Sequence, residues 1–115
     1  MIFYHRTNHA EAILQNGFHD SEGSYGLEGM TLRGVFLSNV PVGCNEGAKG
    51  DQLLEVTLPE TCCDLGYYEL VQIDEPITHY REWCLPAAII NQHGKIRLLS
   101  DEEEQNIWSG FTSLQ

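Results

Sequence analysis

The chain has 115 residues, 42% of them hydrophobic and 10% aromatic, which fits a single globular domain over 1–115 and excludes a disordered chain. Six Lys and Arg against 17 Asp and Glu leave a formal net charge of −11, and a surface that acidic repels phosphate backbones, so nucleic acid is not the expected partner. No apolar run approaches the ~20 residues of a membrane helix, and no basic segment leads an apolar one as in a secretory signal.

A cytoplasmic protein with no membrane partner is therefore expected. A basic protein surface is the natural counterpart of the charge, although acidity also serves solubility by itself.

Ile2 to His5 predict a short first strand. Thr7 or Asn8 can cap the helix that follows, and Asn8 with Glu11 three residues on resembles a capping box. Ala10, Ile13 and Leu14 give that helix one apolar face. Gly17 supplies a stop, because glycine enters the left-handed region without a Cβ clash. Phe18 is expected to pack back under the helix.

Residues 19–34 are rich in Gly, Ser and Glu and predict a long loop, the kind that usually has a function. Val35-Phe36-Leu37 predict a buried strand ending at Ser38-Asn39. Residues 40–52 hold Pro41 and several glycines and predict a second loop. Residues 53–59 alternate and predict a strand closed by Pro59. Residues 60–79 are ambiguous, with 67–73 readable as a strand. Residues 83–90 and 95–99 predict strands joined through 91–94, with Pro86 at an edge or bulge. Ser100 and Glu103 suggest a capping box before a short acidic helix over 101–108. The expected class is α+β, strands dominant, with one N-terminal helix and few others.

Cys44, Cys62, Cys63 and Cys84 form no CxxC pair and no zinc-module spacing, and they predict reduced thiols. Vicinal Cys62 and Cys63 are poorly placed for a disulfide with each other. Cys84 falls in a strand, where a thiol behaves as a small hydrophobe. His79 and His93 show no ligand spacing with the cysteines, so no metal is expected. Lys49 is a single cation in a glycine-rich loop, and the Walker pattern is absent.

Three stretches carry the functional signal: FYHRT at 3–7 with the helix ending ILQNGF at 13–18, GVFLS at 34–38, and REWCLPA at 81–87. In this order they resemble the ADP-ribosyltransferase-like fold, in its poly-ADP-ribose-polymerase and diphtheria-toxin-like branch. That branch carries a His-Tyr-Glu triad on three strands of a split antiparallel β-sheet around an NAD cleft. Its motifs read like YHGT, GIYF or GVYLS, and EYIV. The resemblance covers residue 3 to about residue 91.

The resemblance implies a role for each matching position. His5 would hydrogen-bond a ribose hydroxyl in the adenosine half of NAD. Backbone groups at Arg6 would meet the nicotinamide amide, and Thr7 would contact ribose. Arg6 replaces the usual glycine, so its side chain must leave the cleft or take a new role. Phe36 would stack on nicotinamide, with the aromatic face kept and the tyrosine hydroxyl lost. Ser38 would line the same pocket, and Tyr25 in the 19–34 loop would close over it. Glu82 would bind the 2′-hydroxyl of the nicotinamide ribose. Cleavage of that glycosidic bond builds positive charge on the ribose, as in oxocarbenium-like transition states. A carboxylate in a dry site stabilises the charge as it appears.

The expected function is a mono-ADP-ribosyltransferase that uses NAD and modifies a protein, as a bacterial or phage effector or toxin does. Two alternatives stand beside it. One is an enzyme like the RNA 2′-phosphotransferases, which grip phosphate with a histidine and several arginines. The other is a binding module or inhibitor without catalysis, which Phe36 and Arg6 make credible.

Overall fold

The structure is a computed structural model, and it describes residues 1–24, 31–40, 52–70 and 81–112. Among the described residues there are six strands: β1 (Ile2–Thr7), β2 (Ser21–Ser24), β3 (Thr31–Ser38), β4 (Gln52–Thr57), β5 (Glu82–Leu85) and β6 (Lys95–Leu99). Four helices accompany them: α1 (Ala10–Asn16), α2 (Leu65–Tyr68), α3 (Ala87–His93) and α4 (Asp101–Thr112). The sheet runs β2-β3-β1-β4-β6, with β5 paired to β3 off this path. Every pairing is antiparallel. The α+β class follows.

Side chains alternate across a strand, so paired residues share a face. On one face lie Phe3, Val35, Leu37, Leu54, Val56, Trp83 and Leu85, all buried. Ala10 of α1, and Ala87 and Ile90 of α3, complete this core with Phe18 and Leu58. The Phe3 and Trp83 rings meet edge to face, 4.9 Å between centroids. Each fully buried large side chain here contributes roughly 1.5–3 kcal/mol relative to exposure. The opposite face carries a smaller cluster of Tyr4, Leu53 and Leu99, against which Ile107 of α4 packs.

Local signals hold for the first strand, for α1 and its stop, for β4 and for β6. Gly17 ends α1 at φ 86° and donates its N–H to the Ile13 carbonyl at 2.8 Å. Ser100 and Glu103 form the reciprocal capping box, each side-chain oxygen 3.1 Å from the other residue's backbone nitrogen. The helix it starts runs on to Thr112 rather than stopping at 108. The N-cap of α1 is His9, with no side-chain cap bond, in place of Thr7 or Asn8. Thr7 instead accepts the His9 N–H on its Oγ1 at 3.0 Å.

Three expectations are corrected. The strand expected over 83–90 ends at Leu85, and 87–93 is α3. Asp20 Oδ1 accepts the Ala87 N–H at 2.8 Å, so the cap for α3 arrives from 67 residues away. Asn91 then ties α3 to the end of α1, accepting from Phe18 N at 2.8 Å and donating to Phe18 O at 2.9 Å. The 19–34 loop contains β2, which pairs with β3 from Ser21–Gly34 to Ser24–Thr31. Residues 65–68 of the ambiguous segment form α2, capped by Asp64, and among the described residues of 67–73 only Glu69 makes a bridge, to Trp83. Tyr25, Lys49, most of the 40–52 loop and residues 71–80 lie outside the described residues.

Gly34 has a packing reason. A Cβ there would meet Cys84 Sγ and the Leu85 carbonyl oxygen, both at 2.8 Å. The second is backbone and cannot swing away. Gly34→Ala should therefore destabilise the fold by about 1–3 kcal/mol, the range for overpacking. Urea denaturation should show a lower midpoint at unchanged slope, and an unchanged midpoint would contradict this packing.

Candidate functional site

The strands that carry the three motifs are neighbours. β3 stands between β1 and β5. β4 pairs with all six residues of β1, and β5 pairs with four of β3, but β1 and β3 meet in register only at Tyr4–Ser38. Continued regularly, that register would set Arg6 opposite Phe36. The sheet instead opens between β1 and β3, and a side chain spans the opening: His5 Nδ1 lies 2.7 Å from the Phe36 carbonyl oxygen.

That contact decides the state of the ring. A carbonyl oxygen only accepts, so Nδ1 carries the proton and donates it. Burial lowers the His5 pKa below its usual value, and the bond to Phe36 offsets only part of that. The ring is then neutral at pH 7, and Nε2 is left as an acceptor. Phe18 holds the ring from the side, edge to face at 5.2 Å.

His5 lines a pocket of about 510 Å³ beneath α1, together with Thr7, His9, Ile13, Phe18 and Val35. This volume is within the usual ~300–1,000 Å³ of small-molecule sites. Its wall mixes apolar side chains with hydrogen-bonding ones, and among the described residues it includes no carboxylate. Only Ala10 of α1 is fully buried, so the helix lies over the pocket rather than filling it.

Phe36, Ser38 and Glu82 gather on the other face. Ser38 pairs with Glu82 and Phe36 with Cys84, so all four project to one side of β3 and β5, as does Tyr4 beyond them. His5, one residue on from Tyr4, projects to the opposite side. The motif residues are thus neighbours across the opening, on two faces of it. Ser38 is 2% exposed, and its hydroxyl lies 2.6 Å from the Val40 carbonyl and 3.4 Å from that of Tyr4. Arg6 turns its side chain to α4 and pairs with Glu104, which removes it from the pocket beside His5.

Glu82 is half buried and its backbone is pinned on both sides. Leu70 N donates to the Glu82 carbonyl at 2.8 Å. Asn39 accepts the Arg81 N–H on Oδ1 at 2.7 Å and donates its own N–H to the Arg81 carbonyl at 3.1 Å. The Arg81 guanidinium grips the Glu69 carboxylate with two bonds, of 2.8 and 2.6 Å, and its carbon lies 4.9 Å from the Trp83 ring centroid. Hydrogen bonding to Arg81 holds the Glu69 carboxyl below its usual pKa. Burial, then the charges of Asp20 and Glu82, push the Cys84 thiol up. The sequence gives neither Glu69 nor Asn39 a role in the site. Their partners lie 12 and 42 residues away, and no local pattern marks them.

The lowered His5 pKa has a stability consequence. The unfolded chain takes up a proton near pH 6.5, whereas the folded ring does so only at lower pH. Stability is therefore full above about pH 6.5 and falls as pH drops through the window down to the folded value. His5→Gln should flatten this part of the profile, and the His5 ring should titrate below the usual value by NMR. A ring that titrates above 6.5 would contradict the buried neutral state.

No protein-family model matches the chain, and comparison with curated proteins and with solved structures likewise gives no match.

Proposed function

We propose that this chain is an NAD-dependent mono-ADP-ribosyltransferase that modifies a macromolecular, most naturally a protein, acceptor. The observation that carries the reading is the junction of β1 and β3. His5, Phe36 and Glu82 sit on three adjacent strands in the order of the motifs they resemble, and the sheet opens where His5 bridges to Phe36. Independent core packing needs no such opening.

In this reading the pocket under α1 takes the adenosine half of NAD. His5 Nε2 accepts from a ribose hydroxyl, and Thr7 lies beside it. Ile13, Phe18 and Val35 offer apolar surface to the base. The dinucleotide then crosses the opening toward β3 and β5. Phe36 gives nicotinamide a flat wall. Glu82 binds the 2′-hydroxyl of the neighbouring ribose and stabilises the positive charge that grows there as nicotinamide leaves. The pinned backbone around Glu82 suits that task, because a catalytic carboxylate must hold its place without reorganising. An acidic chain of net charge −11 favours a basic acceptor surface, consistent with an effector or toxin.

The RNA-directed alternative is disfavoured by the arginines. Arg6 pairs with Glu104, Arg81 with Glu69, and Arg97 with Glu55 and Glu103, so these three are already neutralised. A binding module without turnover is the second reading. It is favoured by the buried, hydrogen-bonded Ser38 and by the absent hydroxyl at Phe36.

The test is nicotinamide release from labelled NAD, with cell lysate as the source of acceptors. Wild type should release nicotinamide and label a macromolecule, and Glu82→Gln should lose roughly 10²–10³-fold in rate, the scale of a lost electrostatic stabiliser. NAD binding without release would select the binding module. Neither release nor binding would overturn both readings.

A further inference from the structure

Cys62 and Cys63 lie in the turn between β4 and α2. Consecutive side chains in extended backbone point apart, yet here both thiols turn the same way, with the sulfurs 3.6 Å apart. Both are half buried and pack against the edge of the main core. The pair is separate from the residues of the proposed NAD cleft, and nothing about it rests on that reading.

We propose that Cys62 and Cys63 form a chelating dithiol site for a trivalent organoarsenical, a thiophilic three-coordinate centre that brings its own third substituent. The sulfur spacing selects this class. With sulfur–centre bonds of about 2.3 Å, the value for zinc thiolates, sulfurs 3.6 Å apart subtend roughly 100° at the bound atom. A linear two-coordinate cation would need them roughly 4.6 Å apart at the same bond length. A zinc ion matches the angle but needs four ligands, and no group of three or more His, Cys, Asp or Glu is poised for a metal among the described residues. A pyramidal arsenic(III) centre needs only the two sulfurs.

The step balances without an oxidant. An arsenoxide, R–As=O, meets two thiols. Two S–H bonds and the As=O bond break, two As–S bonds form, and both protons leave with the oxygen as one water. Arsenic stays trivalent. The Cys63 thiol is pushed up to about 11 by burial, by its bond with Cys62 and by the charges of Cys62 and Asp64. Reagents that need a free thiolate therefore react slowly with Cys63 at neutral pH. Chelation needs no standing thiolate, because each S–H proton passes to the arsenoxide oxygen as its As–S bond forms.

The test treats the full chain with phenylarsine oxide and reads intact mass and free thiols. Wild type should gain one phenylarsenic group and lose two titratable thiols. The adduct should survive excess monothiol and be reversed by a small dithiol. Cys62→Ser and Cys63→Ser should each weaken retention by roughly 10²–10⁴-fold, the loss expected when two-point attachment becomes one-point. Cys44→Ser and Cys84→Ser should retain it. The thiol count needs no variant, so a variant that fails to fold does not hide the answer. No adduct that survives monothiol, a loss of one thiol only, or full retention in Cys62→Ser would overturn the proposal.

Discussion

The hydrogen bond from His5 Nδ1 to the Phe36 carbonyl is the contact on which the rest of the site depends. β1 is zipped to β4 along its whole length, and β3 is zipped to β5. Between these two blocks the backbone offers one register pair, Tyr4–Ser38. A sheet opened inside a protein leaves carbonyls that need partners, because an unpaired buried acceptor costs about 1–3 kcal/mol. An imidazole reaches farther than a backbone N–H and satisfies Phe36 O while leaving the strands apart. The same bond fixes the tautomer of the ring, so the structural partner of Nδ1 defines what Nε2 can recognise.

Around this junction the molecule divides its work between two faces. One holds a pocket under a loosely packed helix, lined by His5 and Thr7. The other holds Phe36 and Glu82, in a stretch that Arg81, Asn39, Glu69 and Leu70 pin through main chain and side chain alike. An exposed ion pair such as Arg81–Glu69 contributes little to global stability, since the Arg81 side chain is 51% exposed. Its value is geometric: two parallel bonds and a stacked tryptophan leave residue 81 few orientations. A ligand that met both faces would have to be long and jointed, as a dinucleotide is.

Much of this was legible in the sequence wherever the signal is local. Ala10, Ile13, Gly17 and Phe18 read as a helix, its stop and a return to the core, and Ser100 with Glu103 read as a cap. Alternation marked β4. The failures share a cause. α3 looked like strand because its apolar run is short and follows a proline, and its cap is Asp20, supplied from across the fold. β2 hid among glycines and serines because β3, not its own composition, makes it a strand. The motif residues were named from a resemblance, but their division between two faces depends on where the sheet opens. That is a property of three strands together and is written in none of them.

The most direct test is ¹⁵N NMR of the His5 ring, alone and with NAD. In the free protein at pH 7, Nδ1 should carry the proton and Nε2 should be bare. Titration with NAD should then shift the Nε2 resonance as it accepts a ribose hydroxyl, and leave Nδ1 on the Phe36 carbonyl. A proton on Nε2, or a ring that NAD does not perturb, would contradict it.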